Sequence, residues 1–337
     1  MASKRRHAFR KIGDSFYVIF IEYYQHTIKH LSDRNYLKRM QFSVIIPTYN
    51  YAHFLPNALE SALAQEQDDF EILVIDDGSV DETPELMRSY CEKYPIQIKY
   101  FRQENRGPAN VRNRGIKESC GDYLIFLDAD DRLLPGALYK FCSFLQGEPN
   151  LDMVLGGHLS VHENGKEKIY IPKPFSMDKK KNFVNYIRGD IRISHGAAIM
   201  DRRVFEKIKY PDHIRNSEDI PVFAQVLALF HCASFPDPVL KIFKHSDSLR
   251  NNTKLITQVG TDIVDILFDS KILTPDLMLF RNEFLARRYL TLFRSLYVSG
   301  YYSEARTCYH SAIKLLPVLL SDGAYLRKYL LSFIKKG

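Results

Sequence analysis

The sequence lacks the features that mark secreted, membrane-spanning or disordered proteins. Its five cysteines are an odd number, and no two of them have CxxC spacing. That pattern indicates neither a disulfide framework nor a cysteine zinc site, and it favours a reducing compartment. No apolar run reaches the roughly 18 residues that a membrane-spanning helix requires. The run SFYVIFIEYY contains Glu22 and has no small-residue cleavage pattern after it, so it does not predict a signal peptide. A composition of 45% hydrophobic and 26% charged residues excludes a disordered chain.

The sequence also has little net charge outside its first 40 residues. The whole chain carries +7, but residues 1–40 hold nine Lys or Arg against three Asp or Glu and account for +6 of it. A nucleic-acid-binding domain would spread positive charge over its folded surface, so nucleic acid is not an expected partner. The basic, aromatic leader and the leucine- and lysine-rich C-terminal stretch instead suit an anionic membrane surface, although core packing explains the leucines equally well. We therefore expect a cytoplasmic protein, either free or held peripherally on the inner face of the cell membrane.

From Gln41 onward, short apolar runs alternate with amphipathic stretches, which indicates an α/β fold with a mostly parallel sheet and crossover helices. Four runs predict buried strands: Phe42 to Pro47, Phe70 to Asp76, Ile96 to Phe101 and Gly121 to Asp128. Helical spacing follows each of the first three runs. Beyond Gly156 the pattern weakens, and from Asp262 it is helical only. The sequence thus predicts a leader over residues 1–40, an α/β body over 41–261 and a helical tail over 262–337.

The fourth predicted strand ends in three carboxylates within four residues, Asp128, Asp130 and Asp131. Like charges held this close raise one another's pKa and cost stability, and a bound divalent cation is the usual compensation. An all-oxygen site suits Mg²⁺ or Mn²⁺, and both ions favour ligands that supply phosphate oxygens. The alternative is a solvated acidic loop before the next helix. Because ligands of open α/β sheets bind beyond the carboxyl ends of the strands, the pattern favours a metal site.

The two preceding strand ends also carry polar or aromatic residues. Asp76-Asp77-Gly78-Ser79 follows the second strand, where Gly78 permits a sharp turn and a carboxylate can accept hydrogen bonds from a base or a ribose. Pro47-Thr48-Tyr49-Asn50 follows the first strand and offers a flat ring and an amide. Either segment alone could be an ordinary turn. The stretch PTYNYAHFLP contains no glycine-rich phosphate loop, which argues against a nucleotidyltransferase.

In these residues the sequence resembles the family 2 glycosyltransferases, inverting enzymes of the GT-A fold that use nucleotide-diphosphate sugars. Four segments in matching order carry the resemblance: SVIIPTYN (Ser43 to Asn50), VIDDGSVDET (Val74 to Thr83), NRGPANVRNRGI (Asn105 to Ile116) and YLIFLDADD (Tyr123 to Asp131). The resemblance implies a nucleotide-sugar donor, with UDP the leading nucleotide. It also implies a glycan or lipid-linked acceptor, in cell-surface polysaccharide or lipopolysaccharide synthesis. Residues 41–135 would then form a nucleotide-binding half and residues 136–261 an acceptor half.

The resemblance also implies roles for individual residues. The nucleotide sugar would be bound by side chains from all four segments, namely Pro47, Tyr49, Asn50, Asp77, Arg112, Asp128 and Asp130. Asp77 would face the base and Arg112 the diphosphate, as would Arg114 unless it lies on a solvated helix face. The metal would be held by Asp130, Asp131 and His245, whereas His195 is expected to be structural.

Farther along the chain, Asn216-Ser217-Glu218-Asp219 resembles the Glu-Asp motif that supplies the catalytic base in this family. We assign that role to Asp219, with Glu218 as the second candidate. An inverting transfer needs one carboxylate that takes the proton of the acceptor hydroxyl. The alternative is that Ser217 or Asp219 only caps the apolar helix that follows.

The carboxyl-terminal third extends beyond the minimal family body. Its small and aromatic residues follow the spacing of one tetratricopeptide-like helix pair, at Gly300, Tyr302, Ala305, Tyr309, Ala312 and Pro317. A single pair cannot form an array, so we expect these helices to pack on the catalytic domain. The competing interpretation of the whole chain is a catalytically silent nucleotide-sugar-binding or scaffolding protein that acts through this tail. The presence of both Asp131 and Asp219 argues against it.

Overall fold

The computed structural model describes residues 41–66, 69–148, 150–245 and 253–335. The predicted leader over residues 1–40 therefore lies outside the described residues. None of the helices within the described ranges is long and apolar enough to cross a membrane.

The sheet is built from β1 (Phe42–Thr48), β2 (Phe70–Asp76), β3 (Ile98–Arg102), β4 (Tyr123–Phe126), β5 (Arg132–Leu133), β6 (Met153–His162), β7 (Glu167–Tyr170), β8 (Ala198–Asp201) and β9 (Cys232–Lys244). Their order is β3-β2-β1-β4-β8-β6-β9-β5, and β7 pairs with β6. β1 to β4 pair in parallel, whereas β8 is antiparallel to both β4 and β6. The predicted α/β fold is confirmed. Most of the parallel pairing lies among the first four strands, and β6 and β9 form one further parallel pair.

The helices are α1 (Leu55–Leu63), α2 (Thr83–Lys93), α3 (Pro108–Glu118), α4 (Ala137–Gly147), α5 (Lys179–Arg188), α6 (Val204–Lys207), α7 (Asp219–Leu229), α8 (Thr253–Val259), α9 (Asp262–Leu267), α10 (Pro275–Met278), α11 (Arg281–Val298), α12 (Tyr302–Leu315) and α13 (Gly323–Leu331). Single 3₁₀ turns lie at His195–Ala197 and Pro317–Ser321. A proline stands in the first turn of α1, α2 and α3, where its missing N–H costs no hydrogen bond.

Burial of both sheet faces explains why β1 and β2 are almost continuously apolar. Val44, Ile45 and Ile46 have no exposed surface, as expected for parallel strands covered by helices on each side. Thr48 lies opposite Asp76 in the register of β1 and β2. The carboxyl ends of these strands therefore meet at one edge of the sheet, together with the end of β4.

The helical tail packs in two further apolar clusters. The first joins α5 and α7 to α8, α9 and α11, with Phe183, Ala224, Ile263 and Leu267 at its centre. The second lies among α11, α12 and α13. The predicted helix pair is present as α11 and α12, and its alanines Ala305 and Ala312 are fully buried.

Candidate active site

The loops after β1 and β2 are fastened to each other by reciprocal hydrogen bonds. The backbone N–H of Asn50 donates to Ser79 Oγ at 2.9 Å, and the N–H of Val80 donates to Asn50 Oδ1 at 2.8 Å. Asn50 has φ 55°, in the left-handed region that asparagine tolerates better than most residues. These bonds give the predicted nucleoside-binding edge a defined shape, with the Tyr49 ring 44% exposed beside it. Pro47, also predicted there, is half-buried in β1.

Asp77 is buried and its carboxylate holds the loop that leads to α3. Oδ1 accepts hydrogen bonds from Gln103 Nε2 and from the N–H of Arg106, both at 2.9 Å, and Oδ2 accepts from the N–H of Gly107 at 2.7 Å. Gly107 has φ 91°, a conformation that favours glycine. A carboxylate offers about four acceptor positions, so Asp77 retains capacity for a ligand donor. Its predicted contact with the base stays a prediction.

Arg112, on α3, joins two motifs that are far apart in the sequence. Its Nη2 donates to Asp128 Oδ1 at 3.0 Å, and its Nη1 pairs with Glu218 Oε1. The guanidinium is nearly buried and its central carbon lies 5.7 Å from the centre of the Tyr210 ring. Burial opposes the charged form, but Glu218 and Asp128 raise the pKa of Arg112 overall. The group therefore stays cationic and bridges the end of β4 to the start of α7.

Asp128, Asp130 and Asp131 form a cluster, called the acidic triad below, in which one oxygen from each residue lies within 4.8 Å of the others. His245 Nε2 lies 2.8 Å from Asp130 Oδ2. The N–H of Phe243 donates to Asp131 Oδ1 at 3.1 Å. Three carboxylates without sulfur ligands fit a hard cation such as Mg²⁺ or Mn²⁺.

The carboxylate of Asp128 is held in a mixed electrostatic environment. Desolvation within the cleft raises its pKa, although 42% of the side chain is accessible. Asp130 and Glu218 raise the pKa of Asp128 further, while Arg112 lowers it. Such crowding of like charges is the condition under which a divalent cation stabilises a site.

Asp219 is the first residue of α7, and it does not act as a side-chain cap. No side chain caps the described first turn of this helix. Ser217, the other residue considered as a cap, instead donates its hydroxyl to Asn216 Oδ1 at 2.8 Å and has φ 62°. Burial and then the charge of Glu218 raise the pKa of Asp219 to about 7, against the opposing charge of Arg112. A carboxylate with that pKa suits a general base near neutral pH.

Two residues considered in the sequence have hydrogen-bond partners outside the acidic triad. Arg114 Nη1 donates to the carbonyl of Arg102 at 2.8 Å, and its guanidinium covers the Phe101 ring at 5.5 Å. His195 is buried with its Nε2 3.1 Å from the hydroxyl of Tyr210. Burial, followed by the charge of Arg112, lowers the pKa of His195 well below its usual value, so the ring is neutral.

Sequence reasoning missed Tyr210, which packs under Arg112, and it missed the pairing of Arg112 with Glu218. Tyr210 stands in an unremarkable segment and no periodicity marks it. The pairing joins residues 106 positions apart, and no local pattern can report such a distance.

An acidic triad thus lies at the carboxyl edge of the sheet, and a further carboxylate stands at the start of a helix later in the chain. This is the arrangement of a GT-A glycosyltransferase. Residues 43–209 match the family described as glycosyl transferase family 2. Residues 43–209 of the chain belong to this family.

Relatives and solved structures agree with that assignment. An uncharacterized glycosyltransferase of Rickettsia felis is 36% identical over 177 residues, which are 52% of this chain and 28% of that protein. The chain spans between 26% and 29% of the length of three curated Rickettsia relatives.

Among solved structures, Staphylococcus aureus TarS 1–349 in complex with UDP-GlcNAc has a TM-score of 0.63 at 18% identity, covering 87% of this chain and 89% of that chain. The mannosyltransferase PcManGT from Pyrobaculum calidifontis, in complex with GDP-Man and Mn²⁺, has a TM-score of 0.52 at 18% identity, covering 93% of this chain and 86% of that chain. At these identities the likeness concerns the fold.

Proposed function

We propose that the chain transfers a sugar from a nucleoside-diphosphate sugar to a hydroxyl of a glycan or glycolipid, with inversion at the anomeric carbon. The observation that carries the proposal is the double contact of Arg112 with Asp128 and Glu218. Through this contact the acidic triad and Asp219 belong to one site. Structures of TarS hold UDP and UDP-GlcNAc, which supports a uridine diphosphate donor here. Cell-surface polysaccharide or lipopolysaccharide synthesis is the proposed setting.

The donor would lie along the carboxyl edge of the sheet. Pro47, Tyr49 and Asn50 would border the nucleoside, and Asp77 would face its base. Asp130 and Asp131, with Asp128 beside them, would hold Mg²⁺ or Mn²⁺, and His245 would support the set through its contact with Asp130. When bound, the cation would offset the charge that develops on the departing diphosphate.

Asp219 would serve as the base in the transfer step. The acceptor oxygen bonds to the anomeric carbon while the bond from that carbon to the diphosphate oxygen breaks, and the hydroxyl proton passes to the Asp219 carboxylate. Arg112 neutralises Glu218 and Asp128 on either side, which keeps the pKa of Asp219 from rising further. The chain's own contribution is thus to position the base and to hold its pKa near 7.

The decisive experiment incubates the protein with a panel of nucleotide sugars and acceptor glycans and follows nucleotide release and product mass. We expect release from a UDP-sugar, loss of transfer on EDTA treatment, and loss of transfer in Asp131→Ala. Asp122→Ala is the matched control, because Asp122 directly precedes the opposite end of β4. Turnover unaffected by EDTA would overturn the metal assignment. Nucleotide binding without sugar release under any acceptor would favour the silent binding protein.

We also propose that the C-terminal stretch over residues 317–335 contacts an anionic membrane. Val318, Leu330, Phe333 and Ile334 are each more than half exposed. Arg327, Lys328 and Lys335 lie in the same stretch, so apolar and cationic groups occur together as they do on membrane-surface helices. A lipid-linked acceptor would be held at such a surface.

A further inference from the structure

A cavity of about 370 Å³ lies beside β6, β7 and the end of β9. A smaller cavity of about 300 Å³ contains Asp130 and His245. Lys244 lines both cavities, and His245, the next residue, contacts the acidic triad. The larger space, called the basic cavity below, therefore opens next to the proposed site of transfer.

The charged side chains that line the basic cavity are mainly cationic. They are Lys173, Arg192 and Lys244, against one acid, Asp190. In the described part of the chain, none of the three cations forms a salt bridge, and the Lys244 ammonium lies 5.6 Å from the centre of the Tyr170 ring. Unbalanced positive charge that converges on a concave surface favours an anionic ligand.

A neighbouring lysine outside the basic cavity does have a carboxylate partner. Lys241, in β9, pairs with Glu167 of β7 at 3.3 Å. The sheet therefore supplies a carboxylate to the lysine outside the cavity, whereas the cations that line the cavity receive none within the described residues. The missing negative charge is what a ligand would bring.

The uncharged groups of the basic cavity suit a carbohydrate. The rings of His158 and Tyr170 stack with their centres 4.8 Å apart and their planes 13° from parallel. The Ser160 hydroxyl is buried in the same wall and has no hydrogen-bond partner within the described residues. An aromatic surface with a few polar groups is the usual composition of a small-molecule site, and a buried hydroxyl costs free energy until it is paired.

We propose that the basic cavity binds the acceptor and that the acceptor is an anionic glycan, carrying phosphodiester or carboxylate groups. The inference rests on the proposed function, because an acceptor site has meaning only beside a transfer site. Lys173, Arg192 and Lys244 would hold the charged groups, Ser160 would pair with a hydroxyl, and the acceptor end would enter the smaller cavity past Lys244. The acceptor half predicted over residues 136–261 contains every residue in this assignment.

The test measures binding of three oligomers by calorimetry at low salt: a glycerol phosphate oligomer, tetragalacturonate and neutral maltotetraose. We expect at least one anionic oligomer to bind about tenfold or more tightly than maltotetraose, and to weaken as salt rises. The double variant Lys173→Gln with Arg192→Gln should lose about tenfold in that affinity, a size expected for two solvent-accessible charge contacts. Lys117→Gln, in the last turn of α3 and outside both cavities, is the control.

Preference for glycerol phosphate over tetragalacturonate would identify phosphodiester recognition, and the reverse would identify carboxylate recognition. Equal affinity for maltotetraose, or no binding of either anionic oligomer, would overturn the assignment. So would a double variant that loses affinity for UDP but keeps its affinity for the glycan. Failure of the unmodified protein to bind UDP would instead count against the proposed function.

Discussion

The carboxyl edge of the sheet, called the acidic edge below because it carries the acidic triad, differs from the basic cavity in how its charges are balanced. At the edge, the chain itself supplies a partner to almost every functional carboxylate: Asp77 accepts from Arg106 and Gly107, and Asp128 pairs with Arg112. In the cavity, the cations make no salt bridge within the described residues. The proposed donor side is thus held in place before a ligand arrives, whereas a bound ligand would complete the charge of the proposed acceptor side.

Asp219 is the exception at the acidic edge. In the described structure no other side chain donates a hydrogen bond to its carboxylate, and its pKa is raised to about 7 by burial and by Glu218. Arg112 and the backbone offset this rise only in part, so the Asp219 carboxyl can exchange a proton near neutral pH.

Removing the positive charge of Arg112 should have the largest effect, and this effect should be on stability. Arg112→Met leaves Glu218 and Asp128 without a counter-charge and should lower the free energy of unfolding by about 3 kcal/mol, or about 150-fold in the folded-to-unfolded ratio. This is the lower end for breaking a buried pair, since Asp128 is partly accessible. Denaturant titration measures the change.

Arg114→Met on the same helix is the control for Arg112, and it should cost less than about 1 kcal/mol because that side chain is solvent-accessible. Equal stability of the two variants would show that the pairing of Arg112 does not stabilise the fold.

Replacing Asp219 should lower the rate of transfer without disrupting the fold. Asp219→Asn should keep UDP affinity and lower transfer by about 10²-fold or more, the scale of a lost general base. Its folded-state pKa is raised, so the folded protein binds this proton more tightly than the unfolded chain does. The resulting stability is lost as pH rises through about 7. The variant, which cannot lose that proton, should therefore have the higher Tm at pH 8, with the difference vanishing near pH 4.

A variant that fails to bind UDP, or that unfolds, would make Asp219 a structural residue. The companion Glu218→Gln should differ from Asp219→Asn, because it removes the partner of Arg112 and so lowers the Tm. Transfer that is lost in Glu218→Gln but retained in Asp219→Asn would move the base to Glu218.

The pH dependence of transfer tests the same role of Asp219 as the base, with a smaller expected effect. Because Asp219 acts in its ionised form and has a pKa of about 7, transfer should fall about tenfold for each pH unit below 7. Measurement of kcat/KM from pH 5 to 8 checks this. A flat profile down to pH 5 in the unmodified protein would contradict a base with a raised pKa.

The smallest effect concerns the membrane. Each cation near an anionic bilayer contributes about 1 kcal/mol, so the full chain should pellet with anionic vesicles at low salt and be released by high salt. Leu330→Ser with Phe333→Ser should weaken pelleting several-fold, and a variant that begins at Gln41 separates the contribution of the leader. Equal pelleting of all three proteins would exclude both segments from membrane binding.

The first half of the fold could be predicted from the sequence because its signals are local. The run Phe70 to Asp76 is β2 without a change of boundary, and the helical spacing that follows the third run is α3. β3 begins at Ile98, two residues later than predicted, because the chain first makes a turn over residues 95–97. Buried parallel strands are continuous in apolar residues, and that pattern is visible without any partner.

The second half depends on pairings that the sequence does not display. β9 runs over 13 residues and contains Pro236 and Pro238, which argue against a strand when met in a sequence. It is a strand because β6 pairs with it, with register shifts near Gly157. The basic cavity could not be predicted for a similar reason, since Lys173, Arg192 and Lys244 come from three segments that only the folded chain brings together.

Ser217, with φ 62°, places a locally unfavourable backbone directly before Glu218 and Asp219. A left-handed conformation costs a non-glycine residue about 1 kcal/mol. A laboratory selection for thermostability alone would therefore favour glycine at position 217. Glycine would also lack the hydroxyl that donates to Asn216 Oδ1, directly before the proposed base. Turnover of the selected variants would therefore show whether this side-chain contact matters to the transfer step.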